Sequence, residues 1–121
     1  KVLAMSDLAQ YILDRRIALE ICLQSNVHTG AVPSLEEHPF RQYFDRGFRV
    51  TLNTDNRLMS RTTLSDEFAI AQRAFGLSVV DLEKLTINAM KSAFVPFEDR
   101  LKLIFDGVKT GYQALRDEGV I

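Results

Sequence analysis

The residues with the most chemistry to offer lie near the middle of the chain, in Phe48-Arg49-Val50-Thr51-Leu52-Asn53-Thr54-Asp55-Asn56. A β-branched and apolar run here delivers a carboxylate and an amide to its C-terminal end. In α/β folds ligands bind there, because the loops beyond the strand ends form the cleft. A carboxylate at that place can ligate a metal or move a proton, and an amide NH2 can donate a hydrogen bond at any pH. Residue types alone leave a plainer reading open. A strand-end Asp often caps the next helix or turns the chain, and that reading is favoured on type alone; Asn is equally ordinary in a turn.

The other polar candidates read as supports. His28 and His38 are the only histidines, ten residues apart with no helical relation, so they do not make a zinc pair. Both are expected to be structural or solvent-facing, with His38-Pro39 marking a helix entry. Cys22 is the single cysteine, which rules out an intrachain disulfide and suits a reducing cytoplasm. It reads as a small buried apolar residue rather than a nucleophile. Glu20 lies in an apolar run and asks for a partner. Ser25-Asn26 could support a cleft through hydrogen bonds or close a turn, and the turn is expected.

The elements that position these residues follow from periodicity and punctuation. Ser6 caps a helix over 6–16 with Leu8, Tyr11 and Ile12 on one face. Residues 17–23 read as a buried strand and 25–37 as a loop marked by Gly30 and Pro33. Pro39 fits the first turn of a helix to about Arg46, with Phe40, Tyr43 and Phe44 at helical spacing and Gly47 as its stop. The second strand spans 49–54. After it the chain turns helical. Leu64, Phe68, Ala71 and Phe75 form a stripe ended by Gly76. Ser78 begins the next helix, with Asp81 at the capping-box position, a Leu77/Leu82 staple and a face of Leu82, Leu85 and Met90. Pro96 opens the last helix, with Leu101, Ile104, Phe105, Val108, Tyr112 and Leu115 in one stripe and Gly119 at its end.

Helix, strand, helix, strand and then helices argue for an α/β fold with parallel pairing and a right-handed crossover. Two parallel strands do not make a stable sheet, because their outer edges stay unpaired and their faces need cover. A complete (β/α)8 barrel takes about 250 residues, and this chain has 121. The 121 residues are therefore expected to be the C-terminal part of a single larger domain, with its upstream portion absent. The first residue is Lys1 rather than Met, which also suits an internal piece. Net charge is -1, from 15 basic and 16 acidic residues, so there is no electrostatic footprint for nucleic acid. No apolar run is long enough to span a bilayer, and Lys1-Val2-Leu3-Ala4-Met5 does not look like a signal peptide.

Six short stretches then line up in one order: Glu20-Ile21-Cys22; Ser25-Asn26 with Thr29-Gly30; His38-Pro39; Gly47 leading to Val50-Thr51-Leu52-Asn53-Thr54-Asp55; Thr63-Leu64-Ser65-Asp66-Glu67-Phe68; and Ile87-Asn88-Ala89-Met90-Lys91-Ser92-Ala93-Phe94. Together they resemble the C-terminal third of the adenosine deaminase family across nearly the whole chain. Asp55-Asn56-Arg57-Leu58-Met59-Ser60 is similar to the bacterial, actinobacterial branch; many members carry Asp-Asp-Pro instead.

The resemblance implies a zinc-containing (β/α)8 TIM barrel, of which this chain holds the last two strands and the C-terminal helices. It implies hydrolysis of adenosine, and of 2′-deoxyadenosine, to inosine and ammonia. Asp55 matches the aspartate that ligates zinc from the end of the last barrel strand, and Asn56 the neighbour that hydrogen-bonds purine N7. The departure from Asp to Asn at 56 preserves that contact, since N7 accepts and an amide NH2 donates. The family's paired histidines, third zinc histidine, glutamate proton donor and the histidine near the attacking water all lie upstream of Lys1, so no catalytic acid or base is assignable here. With one cysteine the chain cannot carry the Pro-Cys-x-x-Cys signature of the cytidine-type zinc deaminases. The implied partners are a purine nucleoside and the rest of the barrel, with no nucleic acid and no membrane, in the cytoplasm. The chain alone is expected to be inactive. Two other readings stay open: a deaminase of adenine or of a modified adenosine, and a non-catalytic scaffold or binding fragment of the barrel.

Overall fold

A parallel pair of short strands frames the first part of the molecule. The computed structural model describes residues 6–121. Strand β1 (Leu19–Ile21) lies beside β2 (Val50–Leu52), with Leu19 opposite Val50, Glu20 opposite Thr51 and Ile21 opposite Leu52. The ladder extends past both ends: the Leu19 N–H donates to the Arg49 carbonyl at 2.8 Å and the Asn53 N–H to the Ile21 carbonyl at 2.9 Å. The parallel pairing expected from the alternation of elements is present. Both strands are shorter than the apolar runs that contain them, because only the central residues find a ladder partner.

The chain divides into two compact units, Lys1–Gly76 and Leu77–Ile121. In the first, helix α1 (Ser6–Asp14) precedes β1. It ends earlier than expected: Arg16 has a φ of 52°, which leaves the helical region. The expected face is turned, too. Leu8 and Tyr11 are exposed and Ala9 is buried. The crossover from β1 to β2 carries α2 (Leu23–His28) and α3 (Phe40–Asp45). Helix α2 replaces the first part of the expected loop. Leu23 and Val27 stand one turn apart, and Leu23 is fully buried, so one short apolar face nucleates it. Helix α3 begins after Pro39 and ends before Gly47, whose φ of 85° only glycine adopts freely.

All three residues of β2 are buried, and they join Ile21, Leu23, Phe40, Phe44 and Phe48 in the core of this unit. The Phe40 ring stacks on Phe75 with centroids 5.1 Å apart. Phe75 closes α5 (Leu64–Phe75), which follows the single turn α4 (Arg57–Ser60). A reciprocal Thr63/Asp66 capping box starts α5 and Gly76, at a φ of 63°, ends it. Its buried face is Glu67, Ile70 and Ala71, while Leu64 is exposed. The expected stripe of Leu64, Phe68, Ala71 and Phe75 is thus rotated, with a carboxylate at its centre.

The second unit is helical. Ser78 and Asp81 form the expected capping box on α6 (Val79–Ser92), with Leu77 and Leu85 buried and Leu82 and Met90 half-buried. The last helix is not uniform. Helix α7 (Phe97–Lys102) runs into a π-helical segment, Leu103–Lys109, before α8 (Thr110–Asp117). Wider turns fan side chains apart, so a stripe spaced for 3.6 residues per turn does not hold. Of it Ile104 alone is buried; Leu101, Phe105 and Leu115 are exposed. Gly107, a poor α-helix former, sits inside the widened segment. Arg116 pairs with Glu83 to tie α8 to α6. Among the described residues no helix is long and apolar enough to cross a membrane.

Candidate functional site

Both strands lead at their C-terminal ends into a helix. Cys22 is the residue before α2, and Asp55-Asn56 stand before α4. The open end of the pair therefore gathers Cys22, Ser25, Asp55 and Asn56, three of them brought there by chain entry into a helix.

Asp55 has a φ of 56°. This left-handed conformation costs most L-residues about 1–2 kcal/mol, and Asp and Asn least among them. Its Oδ2 accepts a hydrogen bond from the Ser25 hydroxyl at 2.7 Å. Ser25 itself is buried, 6% exposed, so the donor approaches from the protein side. Asp55 is exposed, and its Oδ1 has no hydrogen-bond partner among the described residues. Of the two plainer readings, the turn holds, since Asp55 bends the chain through its left-handed backbone, and the cap of the next helix does not. That task falls to Asn56, whose Oδ1 accepts from the Met59 N–H at 3.0 Å. Capping uses the amide oxygen of Asn56 and leaves its NH2 with no partner among the described residues, on an exposed residue. Turn-forming and ligand-binding roles are thus compatible in one side chain.

Ser25 is more than a turn residue. It sits on the first turn of α2, three positions after Cys22, and this i, i+3 spacing puts both on the side of the turn that meets the strand ends. The expectation that it merely closes a turn gives way to its hydrogen bond with Asp55. Cys22 lies against the same group. Burial pushes its thiol pKa up, the Asp55, Glu67 and Glu20 carboxylates push it further, and the Asp55 backbone N–H opposes them. A thiol held in its neutral form is a poor nucleophile, in line with its reading as an apolar residue.

Glu67 carries no signal of its own in the sequence beyond its place between Thr63 and Ala71 on the inner face of α5. It is completely buried. Its Oε1 accepts from the Thr62 hydroxyl at 2.9 Å, and its Oε2 faces the Gln24 N–H at 3.5 Å. Cys22 provides no side-chain cap for α2. Glu67 supplies an acceptor there instead, from a helix more than forty residues on. Glu20, by contrast, is exposed on β1, which among the described residues pairs on one side only.

His38 is buried and structural. Its Nδ1 accepts from the Phe40 N–H at 3.1 Å, and its Nε2–H donates to Asn26 Oδ1 at 2.9 Å. Burial lowers its pKa. His28 is exposed. Neither approaches Asp55 in a metal-binding group: among the described residues no three of His, Cys, Asp and Glu come together in that way. Asp55 offers one carboxylate oxygen suited to a hard or borderline cation, and a catalytic zinc needs about three protein ligands.

Residues 2–110 match the family model described as adenosine deaminase. The chain is 53% identical over 108 residues to an adenosine deaminase of Mycobacteroides abscessus, covering 89% of this chain and 30% of that protein. It is 50% identical over 111 residues to adenosine deaminase 1 of Streptomyces coelicolor, covering 92% of this chain and 28% of the relative. The chain thus spans about a third or less of the curated relatives it matches. Among solved structures, an adenine deaminase from Arthrobacter aurescens superposes with a TM-score of 0.86 at 24% identity, over 92% of this chain and 34% of that one. An N6-methyl-AMP deaminase from Arabidopsis thaliana superposes with a TM-score of 0.77 at 26% identity, over 94% and 32%.

Proposed function

The chain belongs to the adenosine deaminase family, and from that premise we propose that it is the C-terminal part of a zinc-dependent (β/α)8 barrel that hydrolyses adenosine and 2′-deoxyadenosine to inosine and ammonia. The observation that carries the reading is the pair at the end of β2. Asp55 is held by Ser25 with one carboxylate oxygen left over, and Asn56 caps α4 with its amide NH2 left over.

Asp55 fits as one ligand of the metal, through Oδ1. The other ligands and the proton donor belong to the portion of the full-length barrel that precedes this chain. When bound, zinc makes a water acidic enough to attack an electron-poor ring carbon near neutral pH. Water adds at C6 of the purine and the amino group leaves as ammonia, which balances the reaction. Asn56 donates from its NH2 to N7, next to the reacting carbon, and fixes the ring's orientation. Asp55 and Asn56 are adjacent in sequence, so one turn sets the distance between metal ligand and ring contact. Cys22 walls the site with a neutral thiol. The chemistry needs no membrane or nucleic acid, and the single cysteine suits the cytoplasm.

Adenosine is favoured as substrate because relatives bearing that name are 50–55% identical. A second reading, an N6-substituted adenine nucleotide, rests on the structural likeness at 26% identity to the N6-methyl-AMP deaminase. The test is to assay the full-length protein for bound zinc and for ammonia release from adenosine, adenine and N6-methyl-AMP. Zinc near one per chain with adenosine preferred supports the reading; absence of turnover on all three would support a scaffold role instead.

A further inference from the structure

We infer that Ser25 is a positioning residue that gives the two oxygens of Asp55 different tasks, holding Oδ2 so that Oδ1 alone is presented to a metal. The inference rests on the proposed zinc role of Asp55 and adds a determinant of how that carboxylate binds. A carboxylate on zinc or a similar cation can bind through one oxygen or swing to use both. Which mode it takes depends on what else its oxygens accept.

Three observations carry it. The Ser25–Asp55 bond, at 2.7 Å, is a well-formed hydrogen bond from a hydroxyl to a carboxylate oxygen. Its donor is 6% exposed, so water does not readily replace it. Ser25 also cannot easily follow a swinging carboxylate. It lies on the first turn of α2, which Leu23 anchors in the core and the Gln24 N–H links to the fully buried Glu67. Asp55 meets this fixed donor from a left-handed backbone, with a φ of 56°, so its own main chain is also restricted. A rigid donor on one oxygen and a constrained backbone together leave the carboxylate one orientation.

The experiment compares the full-length wild-type protein with Ser25→Ala, Ser25→Cys, Ser25→Thr and Asp55→Ala. Zinc affinity is measured by chelator competition, and the visible absorption of the cobalt-substituted protein reports coordination number. Steady-state kcat and KM for adenosine are read alongside. Ser25→Ala and Ser25→Cys, which remove the donor or leave a weak one, should bind zinc about 10–100-fold more weakly. Their cobalt bands should weaken as Asp55 becomes bidentate and coordination number rises, and kcat should fall with KM nearly unchanged. Ser25→Thr keeps the hydroxyl and should restore affinity and spectrum. Using Cys as well as Ala keeps the test decisive if Ala perturbs the fold. Wild-type affinity and spectrum in both Ala and Cys variants, with zinc lost in Asp55→Ala, would overturn the role of Ser25 and leave the metal site standing. Zinc retained in Asp55→Ala would overturn the metal site itself.

Discussion

A capping amide and a bracketed carboxylate are the smallest units that explain this site. In Asn56 the division is between oxygen and nitrogen: the oxygen holds the Met59 N–H and the NH2 has no partner among the described residues, which leaves it for the proposed ring contact. Asn56→Leu in the full-length protein should therefore remove both a cap and a donor. The cap costs about 1 kcal/mol of stability. The donor should cost adenosine turnover while sparing an analogue with carbon in place of N7. Asn56→Asp keeps the cap but can donate only when protonated, so its activity should depend more steeply on pH. Equal discrimination between the two substrates by wild type and Asn56→Leu would remove the N7 contact. Folding and chemistry should also separate between neighbours. Leu52 is 5% exposed in β2, and Leu52→Ala should cost about 2–5 kcal/mol. Asp55→Ala gives up one hydrogen bond on an exposed residue and should lower the melting temperature less.

At the scale of elements, the helices owe their positions to polar groups as much as to apolar faces. Glu67 on α5 serves Thr62 and the start of α2. Glu67→Ala would take away the acceptor of the half-buried Gln24 N–H and leave the Thr62 hydroxyl only the longer contact to the Thr63 carbonyl, at about 1–3 kcal/mol in all; a denaturant midpoint equal to wild type would contradict this. His38 predicts a pH effect of definite sign. Burial holds its folded pKa below the ordinary 6.5. The unfolded chain therefore takes up a proton first as pH falls below that value. Stability should drop from there until the folded pKa is passed, because a proton on Nδ1 would also displace the Phe40 N–H. His38→Asn should flatten the fall of melting temperature as pH drops below the ordinary histidine value of 6.5; an unchanged slope would contradict the assignment. Much of this level was readable from the sequence. Pro39, Gly47, Gly76 and the Ser78/Asp81 capping box are local signals and each fell where local rules put it; the Thr63/Asp66 box obeys the same rule but was not singled out. The misses were tertiary. Leu23–His28 became a helix because Leu23 found a core, Glu67 replaced an apolar residue on an inner face, and the stripe after Leu101 was fanned out by a π segment. Ser25 could be read as a turn residue until the strand pairing placed it against Asp55, thirty residues away.

For the whole molecule, the two strands explain what the chain can and cannot do alone. Among the described residues each has a single neighbour, and β1 leaves Glu20 exposed. The residues that could complete a metal site do not gather among those described. Purified residues 1–121 should therefore show no adenosine turnover even with added zinc, and measurable inosine from this chain would contradict the account. Family membership and the Asp55 position were legible together, because six short matches in order carry more than any one of them. On the proposed reading, zinc content and turnover belong to the complete barrel, and one comparison there tests the central claim most directly. Zinc stoichiometry and inosine production are measured on full-length wild type and Asp55→Ala, with circular dichroism confirming that both fold. The account predicts about one zinc per wild-type chain, and in the variant loss of zinc with turnover reduced more than about 100-fold. A folded Asp55→Ala protein with normal zinc and near-normal turnover would contradict it.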